Sequence, residues 1–280
     1  MRWFESLARR PADVPRPADV PRPADVPRPA DVPVAERLAK ALEAARRGDY
    51  AVALSLWEPL AHAGVARAQN NIGACFAEGL GVERDCDLAF RWLALSAEAG
   101  DAVGRRNLAS LYFRGEGVAQ DYGRAAELYR AAAEQGDGPA QDMLSWMLLE
   151  GEVVDPDPAE ARRWATAAAE QGIASAMTRL GMIHHNALGV PRDPAEAVRW
   201  WRRAAVRGDA DGQAMLGAAC HLAAGVEADA VEAYAWLLRA NAAGSALAER
   251  YLPAARAGLT PDETAEAESR AAASLTGDGS

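Results

Sequence analysis

The sequence predicts an all-α protein built from pairs of helices that repeat every 36 residues. Three observations support this fold class. Glycine recurs at that interval, an aspartate stands fifteen residues before each glycine, and no segment alternates apolar and polar residues as a strand does. Such regular spacing is typical of a solenoid, in which each repeat packs on its neighbours. The repeat glycines are Gly64, Gly100, Gly136, Gly172, Gly208 and Gly244.

Each segment from aspartate to glycine is predicted to form one helix, called helix B. Aspartate is a good helix N-cap, and glycine ends a helix in the left-handed conformation. The alanine four residues after each aspartate is small enough to let two helices approach, and a tryptophan or leucine follows on the same apolar face. The predicted caps are Asp49, Asp85, Asp121, Asp157, Asp193 and Asp229. The predicted contact alanines are Ala53, Ala89, Ala125, Ala161, Ala197 and Ala233.

A second helix, called helix A, is predicted between each glycine and the next aspartate. Its pattern is a small residue, then a leucine or isoleucine, a second small residue and usually an aromatic or other apolar residue. Spacings of four, one and three place these side chains on one buried stripe. The first example consists of Ala68, Ile72, Gly73 and Phe76.

The overall composition argues against several classes of function. The 280 residues are 50% hydrophobic and 25% charged, enough to bury a sizeable core. A net charge of −10 argues against nucleic-acid binding, which needs a basic surface. No run of about 18 apolar residues exists, so we expect no transmembrane segment. We expect a cytoplasmic location, because three cysteines are too few for a disulfide framework and the first residues lack a secretory apolar core.

Residues 1–34 are predicted to form a disordered, proline-rich arm. Residues 11–34 are four tandem PADVPR-type hexapeptides and contain eight of the 16 prolines. Proline lacks a backbone donor and fixes φ, so the arm should be extended. It is interpreted as a spacer, a ligand for a proline-recognising groove, or a linker without a partner. The first ten residues would be a short interfacial anchor or a frayed terminus.

The residues that recur at equivalent positions of the repeats, here called columns, resemble the pattern of the Sel-one-like repeat, a relative of the tetratricopeptide repeat. The pattern A-x₃-L-G-x₂-Y-x₂-G-x-G-V-x-x-D-x₃-A-x₂-W-x₂-A-A-x-x-G is matched closely by residues 176–208 and 104–136. The resemblance covers about residues 35–257 and implies a right-handed α-solenoid of about five full repeats. By the same resemblance, the A helices line its inner face.

Both ends of the solenoid, and one loop, depart from this pattern. Residues 35–48 are more similar to a tetratricopeptide first helix, and Val153 replaces the second loop glycine of the third repeat. Residues 258–280 are similar to the closing segment of bacterial members. They are predicted to form a capping helix, from Thr260 or Asp262 to about Ala273, followed by a tail.

The tetratricopeptide pattern also implies which helix A residues face the inner groove. They stand two residues before, two residues after and five residues after the leucine or isoleucine of helix A, which we call the leucine column. The residue six positions after that leucine or isoleucine lies at the rim of the groove. In the middle repeats this predicts an apolar patch open to water, which usually marks an interaction site, unless tight curvature buries it against the next repeat. Arg106 and Arg114 would select an acidic flank of the partner. The predicted groove residues are Arg106, Ser110, Phe113, Arg114, Asp142, Trp146, Leu149, Met182, His185 and His221.

No metal site is predicted, although histidines and a cysteine stand in corresponding columns. His185 and His221 share one column of adjacent repeats, and His184 and Cys220 share the next. Equivalent positions on packed helices lie about 8–10 Å apart, which is too far for zinc ligands.

We predict a non-catalytic scaffold or adaptor that binds a protein or peptide segment in its inner groove, without a cofactor. No G-x-S-x-G, H-E-x-x-H or P-loop motif is present. One alternative is a secreted cysteine-rich-type hydrolase or penicillin-interacting repeat protein, which would carry a Cys75–Cys86 disulfide. The other is a structural solenoid that self-associates weakly end to end.

Overall fold

The computed structural model describes residues 33–151 and 154–275. This part of the chain contains fourteen α-helices and no strand, so the predicted all-α solenoid is confirmed. The A helices are α1 Val34–Arg46, α3 Ala66–Glu78, α5 Ala102–Arg114, α7 Gly138–Glu150, α9 Ala174–His185, α11 Ala210–Leu222 and α13 Ala246–Ala257. The B helices are α2 Tyr50–His62, α4 Cys86–Glu98, α6 Tyr122–Ala133, α8 Pro158–Glu170, α10 Pro194–Ala205 and α12 Ala230–Ala242, and α14 Pro261–Ala272 follows α13.

The predicted aspartate caps begin all six B helices. Each side chain accepts a hydrogen bond from the backbone N–H three residues further on, as Asp85 does from Leu88 at 2.9 Å. This bond satisfies a backbone donor that the helix itself leaves unpaired. Asp101, Asp137 and Asp209 cap A helices in the same way.

The repeat glycines follow the B helices, as predicted. Their φ angles lie between +83° and +88°, the left-handed region that favours glycine. A Cβ placed at Gly64 or Gly172 would meet nothing within 4 Å. The backbone conformation, and not a lack of space, therefore requires glycine at these positions.

The helices of each pair approach closely through small residues. All six predicted contact alanines of the B helices are fully buried, with 0% exposure. Gly181 of α9 shows the requirement most clearly, because a Cβ there would lie 2.2 Å from Nε1 of Trp201. That indole nitrogen donates a hydrogen bond to the carbonyl oxygen of Thr178 at 3.2 Å, which locks α10 against α9.

The A helices form the inner layer of the solenoid. Each of the first six A helices packs on its own B helix, and α3 packs on α5, α7 on α9, α9 on α11 and α11 on α13. Among the described residues, successive B helices pack less closely, except that α14 packs on α12 at the C-terminal end. In a curved array of two layers, the layer with the closer spacing lies on the inside of the curve.

The C-terminal helix begins where the sequence predicts it. Thr260 accepts a hydrogen bond from the backbone N–H of Glu263, and the Glu263 carboxylate accepts one from the backbone N–H of Thr260. This reciprocal capping box stabilises the start of α14, which covers α12. None of the described helices is both long and apolar enough to span a membrane.

Three of the predicted features fall wholly or partly outside the described residues. They are the proline-rich arm before Pro33, the loop position Val153, and the tail after Leu275. The boundaries predicted for the arm and for the C-terminal cap therefore stay predictions.

Candidate protein-binding pocket

One pocket lies across the A helices of the C-terminal half. Its volume is about 470 Å³, and α7, α9, α11 and α13 all contribute to it. Because the A helices form the inner layer, the pocket belongs to the inner face; we call it the A-helix pocket. Its apolar lining residues are Trp146, Met182, Met215 and Leu247. Its polar lining residues are Glu150, Ser175, Thr178, Arg179, Asp209 and Asp211.

The pocket runs obliquely across the helices. Glu150 is the last residue of α7, Met182 lies in the C-terminal half of α9, and Asp211 and Leu247 lie in the first turns of α11 and α13. All A helices point the same way, so the lining moves from the end of one helix to the start of another. An oblique groove of this kind suits an extended chain better than a compact ligand.

The predicted apolar patch is divided between the pocket and its surroundings. Trp146 and Met182 line the pocket. Phe113 packs edge to face on Trp146, with ring centroids 5.8 Å apart, and Leu149 packs against the cores on both sides. All four side chains are half-buried, so the patch is less open to water than the sequence predicts. Part of the cover comes from the B layer, because Phe113 also packs on Tyr122 of its own B helix, with ring centroids 5.1 Å apart.

Arg106 and Asp142 connect adjacent repeats. Nη1 of Arg106 lies 3.1 Å from Oδ2 of Asp137, the cap of α7. Asp142 accepts hydrogen bonds from Ser175 Oγ at 2.7 Å and from Arg179 Nη2 at 3.0 Å. The predicted selection of an acidic flank by Arg106 does not fit this arrangement, because the guanidinium already pairs with the buried carboxylate of Asp137.

Ser110 and Arg114 lie towards the C-terminal end of α5. Arg114 donates to Ser110 Oγ at 2.7 Å and to Glu116 Oε2 at 2.9 Å, and Glu116 also pairs with Arg84. Exposed ion pairs contribute about 0–1 kcal/mol, so a carboxylate of a partner could replace Glu116 beside Arg114 at little cost in free energy. Arg114 is not among the residues that line the pocket.

His185 and His221 do not line the pocket either. The His185 ring packs against Trp201, with centroids 5.4 Å apart, and its buried Nδ1 has no hydrogen-bond partner among the described residues. His185 therefore faces the B helix of its own repeat, and His221 is half-buried at the matching position of α11. Across the described ranges, no group of three histidine, cysteine or acidic side chains could hold a metal ion.

The three cysteines are free thiols. Cys75 and Cys220 are buried, and Cys86 is half-buried. Burial raises the pKa of both buried thiols to about 11, so they are protonated near neutral pH and poorly nucleophilic. The disulfide that the hydrolase alternative requires between Cys75 and Cys86 is not formed in this structure.

The sequence prediction missed six of the ten residues that line the pocket. Five of them stand one or five positions before the leucine of helix A, positions that the pattern does not assign to the inner face, and Asp209 is the cap of α11. Two of the six are apolar residues outside the repeated positions, the same signal that identifies Trp146. The missed residues are Ser175, Arg179, Asp209, Asp211, Met215 and Leu247.

Paired helices in a 36-residue repeat, with a pocket on the inner layer, define an α-solenoid repeat protein. The family model described as the Sel1 repeat matches five consecutive segments, and the chain therefore belongs to the Sel1 repeat family, as predicted. The matched segments are 66–101, 102–137, 138–173, 174–209 and 210–245. A comparison with curated proteins finds no match.

The chain is also similar to solved structures of this family. A Sel1 repeat protein from Oxalobacter formigenes is 27% identical with a TM-score of 0.75, over 85% of this chain and 97% of that chain. A sel1 repeat protein from Klebsiella pneumoniae is 21% identical with a TM-score of 0.48, over 72% of this chain and 99% of that one. A protective antigen of uropathogenic Escherichia coli, with an SLR fold, is 25% identical with a TM-score of 0.38, over 85% of this chain and 68% of that one.

Proposed function

We propose that this protein is a non-catalytic scaffold that holds an extended segment of a partner protein in the A-helix pocket. The observation that carries the proposal is the pocket itself, in which four successive A helices contribute half-buried apolar side chains. Sel1 repeat proteins commonly mediate protein–protein interactions and typically act as scaffolds, which supports this class of function.

The chemistry of the pocket fits a protein ligand. Tryptophan and methionine are enriched in the buried cores of interfaces, and a few such anchors carry most of the binding free energy. Trp146 is half-buried in the free protein and held by its edge contact with Phe113, so a partner can cover its remaining surface without reordering the side chain. Holding the anchor in place before binding lowers the entropy cost of association.

The partner we propose is a protein or peptide. Nucleic acid stays disfavoured by the net charge of −10 and by the carboxylates that line the pocket. We also propose the cytoplasm as the compartment, because the chain has three cysteines and no disulfide framework.

The test is affinity capture from a lysate of the source organism, with wild type and Trp146→Ala compared by quantitative mass spectrometry. We expect a protein that wild type captures and Trp146→Ala does not. The matched control is Trp200→Ala, which removes a half-buried tryptophan of a B helix whose ring stacks on Arg203 at 4.2 Å. This control should keep the partner.

A second pocket variant guards against a folding defect. Met215→Ala removes an apolar lining side chain on a different helix, and circular dichroism checks that each variant stays folded. If both pocket variants are folded and capture the same proteins as wild type, the pocket is not the binding site. Loss of the same protein from Trp200→Ala would place binding on the outer layer instead.

A further inference from the structure

The charges around the A-helix pocket are unbalanced. Glu150, Asp209 and Asp211 bring three carboxylates to its lining, while Arg179 brings the one cation. That cation is already paired, since Nη2 of Arg179 lies 3.0 Å from Oδ1 of Asp142 and the Arg179 side chain is 13% exposed. Arg179 therefore offsets Asp142 and leaves the three lining carboxylates without a cation.

The three carboxylates differ in how far they are already used. Asp209 caps α11 by accepting from the backbone N–H of Gly212 at 2.7 Å, and it also accepts from Thr178 Oγ1 at 2.6 Å. Asp211 accepts one hydrogen bond from Ser245 Oγ at 2.7 Å and is exposed. Glu150 is exposed and forms no ion pair within residues 33–151 and 154–275.

The two exposed carboxylates lie on the two A helices that pack on either side of α9. Glu150 ends α7, and Asp211 lies in the first turn of α11. Met182 lies on α9 between these two helices, while Trp146 and Met215 lie on the same helices as Glu150 and Asp211. A ligand that fits this arrangement has an apolar group near Met182 and positive charge beside it.

We propose that the A-helix pocket binds an extended peptide segment of another protein whose lysine or arginine side chains flank at least one large apolar side chain. Glu150 and Asp211 would each receive a cationic group, while Trp146 and the two methionines would cover the apolar side chain. Charge complementarity of this kind fixes the register of a peptide and speeds its association. The inference rests on the proposed function, because it names the ligand class for the same pocket.

The test uses the full chain as bait for a phage-displayed library of random 12-residue peptides. We expect the selected sequences to be enriched in lysine or arginine beside aromatic or aliphatic residues. Synthetic copies of these peptides should bind Glu150→Gln and Asp211→Asn roughly two- to fivefold more weakly than wild type, and the loss should shrink at high salt. Asparagine keeps the acceptor oxygen for Ser245, so the second variant preserves the local structure.

The matched control is Glu78→Gln. Glu78 is an exposed glutamate at the end of α3, the same helix position as Glu150, in a repeat that does not contribute to the pocket. This variant should bind the selected peptides as wild type does. An equal loss in Glu78→Gln would show that the overall charge of the chain, and not the pocket, attracts the peptides, and would overturn the inference.

Two further outcomes separate this inference from the proposed function. Peptides that depend on Trp146 but not on Glu150 or Asp211 would overturn the basic ligand class and leave the pocket as a binding site. Peptides that depend on none of these residues would overturn both. A synthetic MRWFESLARR peptide, copied from residues 1–10, is tested in parallel. If it binds the pocket more tightly than the selected peptides, the occupant is this chain itself, and the inference fails.

Discussion

The outer and inner layers of this solenoid differ in how many of their positions keep the same residue type in every repeat. In the B helices the same residue types recur in every repeat: six aspartate caps, six fully buried alanines and six left-handed glycines. In the A helices, the position two residues before the leucine column is different each time: Asn70, Arg106, Asp142, Thr178 and Ala214. The recurring positions therefore specify the helix pairs, while the variable positions specify how neighbouring A helices connect and which side chains the inner face exposes.

The variable position has a structural role of its own. Arg106 reaches Asp137 of the next repeat, and Thr178 donates to Asp209 of the next repeat at 2.6 Å. Asp142 also contacts the next repeat, by accepting a hydrogen bond from Ser175. Its partner is not an aspartate cap, because α9 follows Ile173 and has no such cap. The inner face is therefore partly used to join repeats, and only the residues left over are available to a partner.

The largest expected effect comes from disturbing a helix pair. Gly181→Val should lower the free energy of unfolding by about 2–3 kcal/mol, because the new side chain must displace Trp201 and its bond to Thr178. Urea unfolding measures this. Gly123→Ala is the control, since a Cβ there meets only Asp121 Oδ1 at 3.4 Å. It should leave stability unchanged or raise it by about 0.5–1 kcal/mol. Equal losses in both variants would contradict the assigned role of close helix contact.

A change on the inner face should alter binding more than folding. Trp146→Ala should weaken binding of the captured partner by about 1–2 kcal/mol, because a large apolar side chain that lines the pocket is removed. Isothermal titration with the purified partner measures this, and Trp200→Ala provides the comparison. Unchanged affinity in folded Trp146→Ala protein would remove Trp146 from the site.

A smaller effect is expected from a single helix cap. Asp193 accepts a hydrogen bond from the backbone N–H of Glu196 at 2.8 Å, and Asp193→Ala should cost about 1 kcal/mol of stability. Asp155, an exposed aspartate in the loop before α8, is the matched position. Its replacement by alanine should change the free energy of unfolding by no more than about 0.5 kcal/mol.

The smallest expected effect is a gain in stability. Ala223 follows α11 with a φ of +55°, where the corresponding position after α3 and α5 is glycine. Ala223→Gly should raise the free energy of unfolding by about 0.5–1 kcal/mol, because glycine adopts this conformation without strain. Ala224→Gly should bring no gain, since Ala224 is not in the left-handed region. A loss of stability in Ala223→Gly would show that strain at this turn is negligible.

The sequence predicts the framework well because each framework residue acts locally. An aspartate before a helix, or a glycine after one, has the same effect wherever the helix packs. The buried stripe of helix A, with Leu144 and Leu180 almost fully buried, follows from helical spacing alone.

The site is predicted less completely because it depends on the offset between neighbouring helices. Trp146 and Met182 were identified as apolar residues outside the framework, and both line the pocket. Asp211 and Leu247 were missed, since their approach to Met182 depends on how α9, α11 and α13 are offset along their axes. The pairing of Arg106 with Asp137 was missed for the same reason: the two residues lie on different helices, and no local pattern joins them.

Hydrogen exchange of the full chain, measured with and without a captured partner, tests directly whether the partner binds to the inner face. We expect binding to slow exchange in α7, α9 and α11 around the A-helix pocket. The same comparison should show little change in the B helices α4 and α6. Protection confined to the B helices, or to residues 1–32 before the solenoid, would contradict the assignment of partner binding to the inner face.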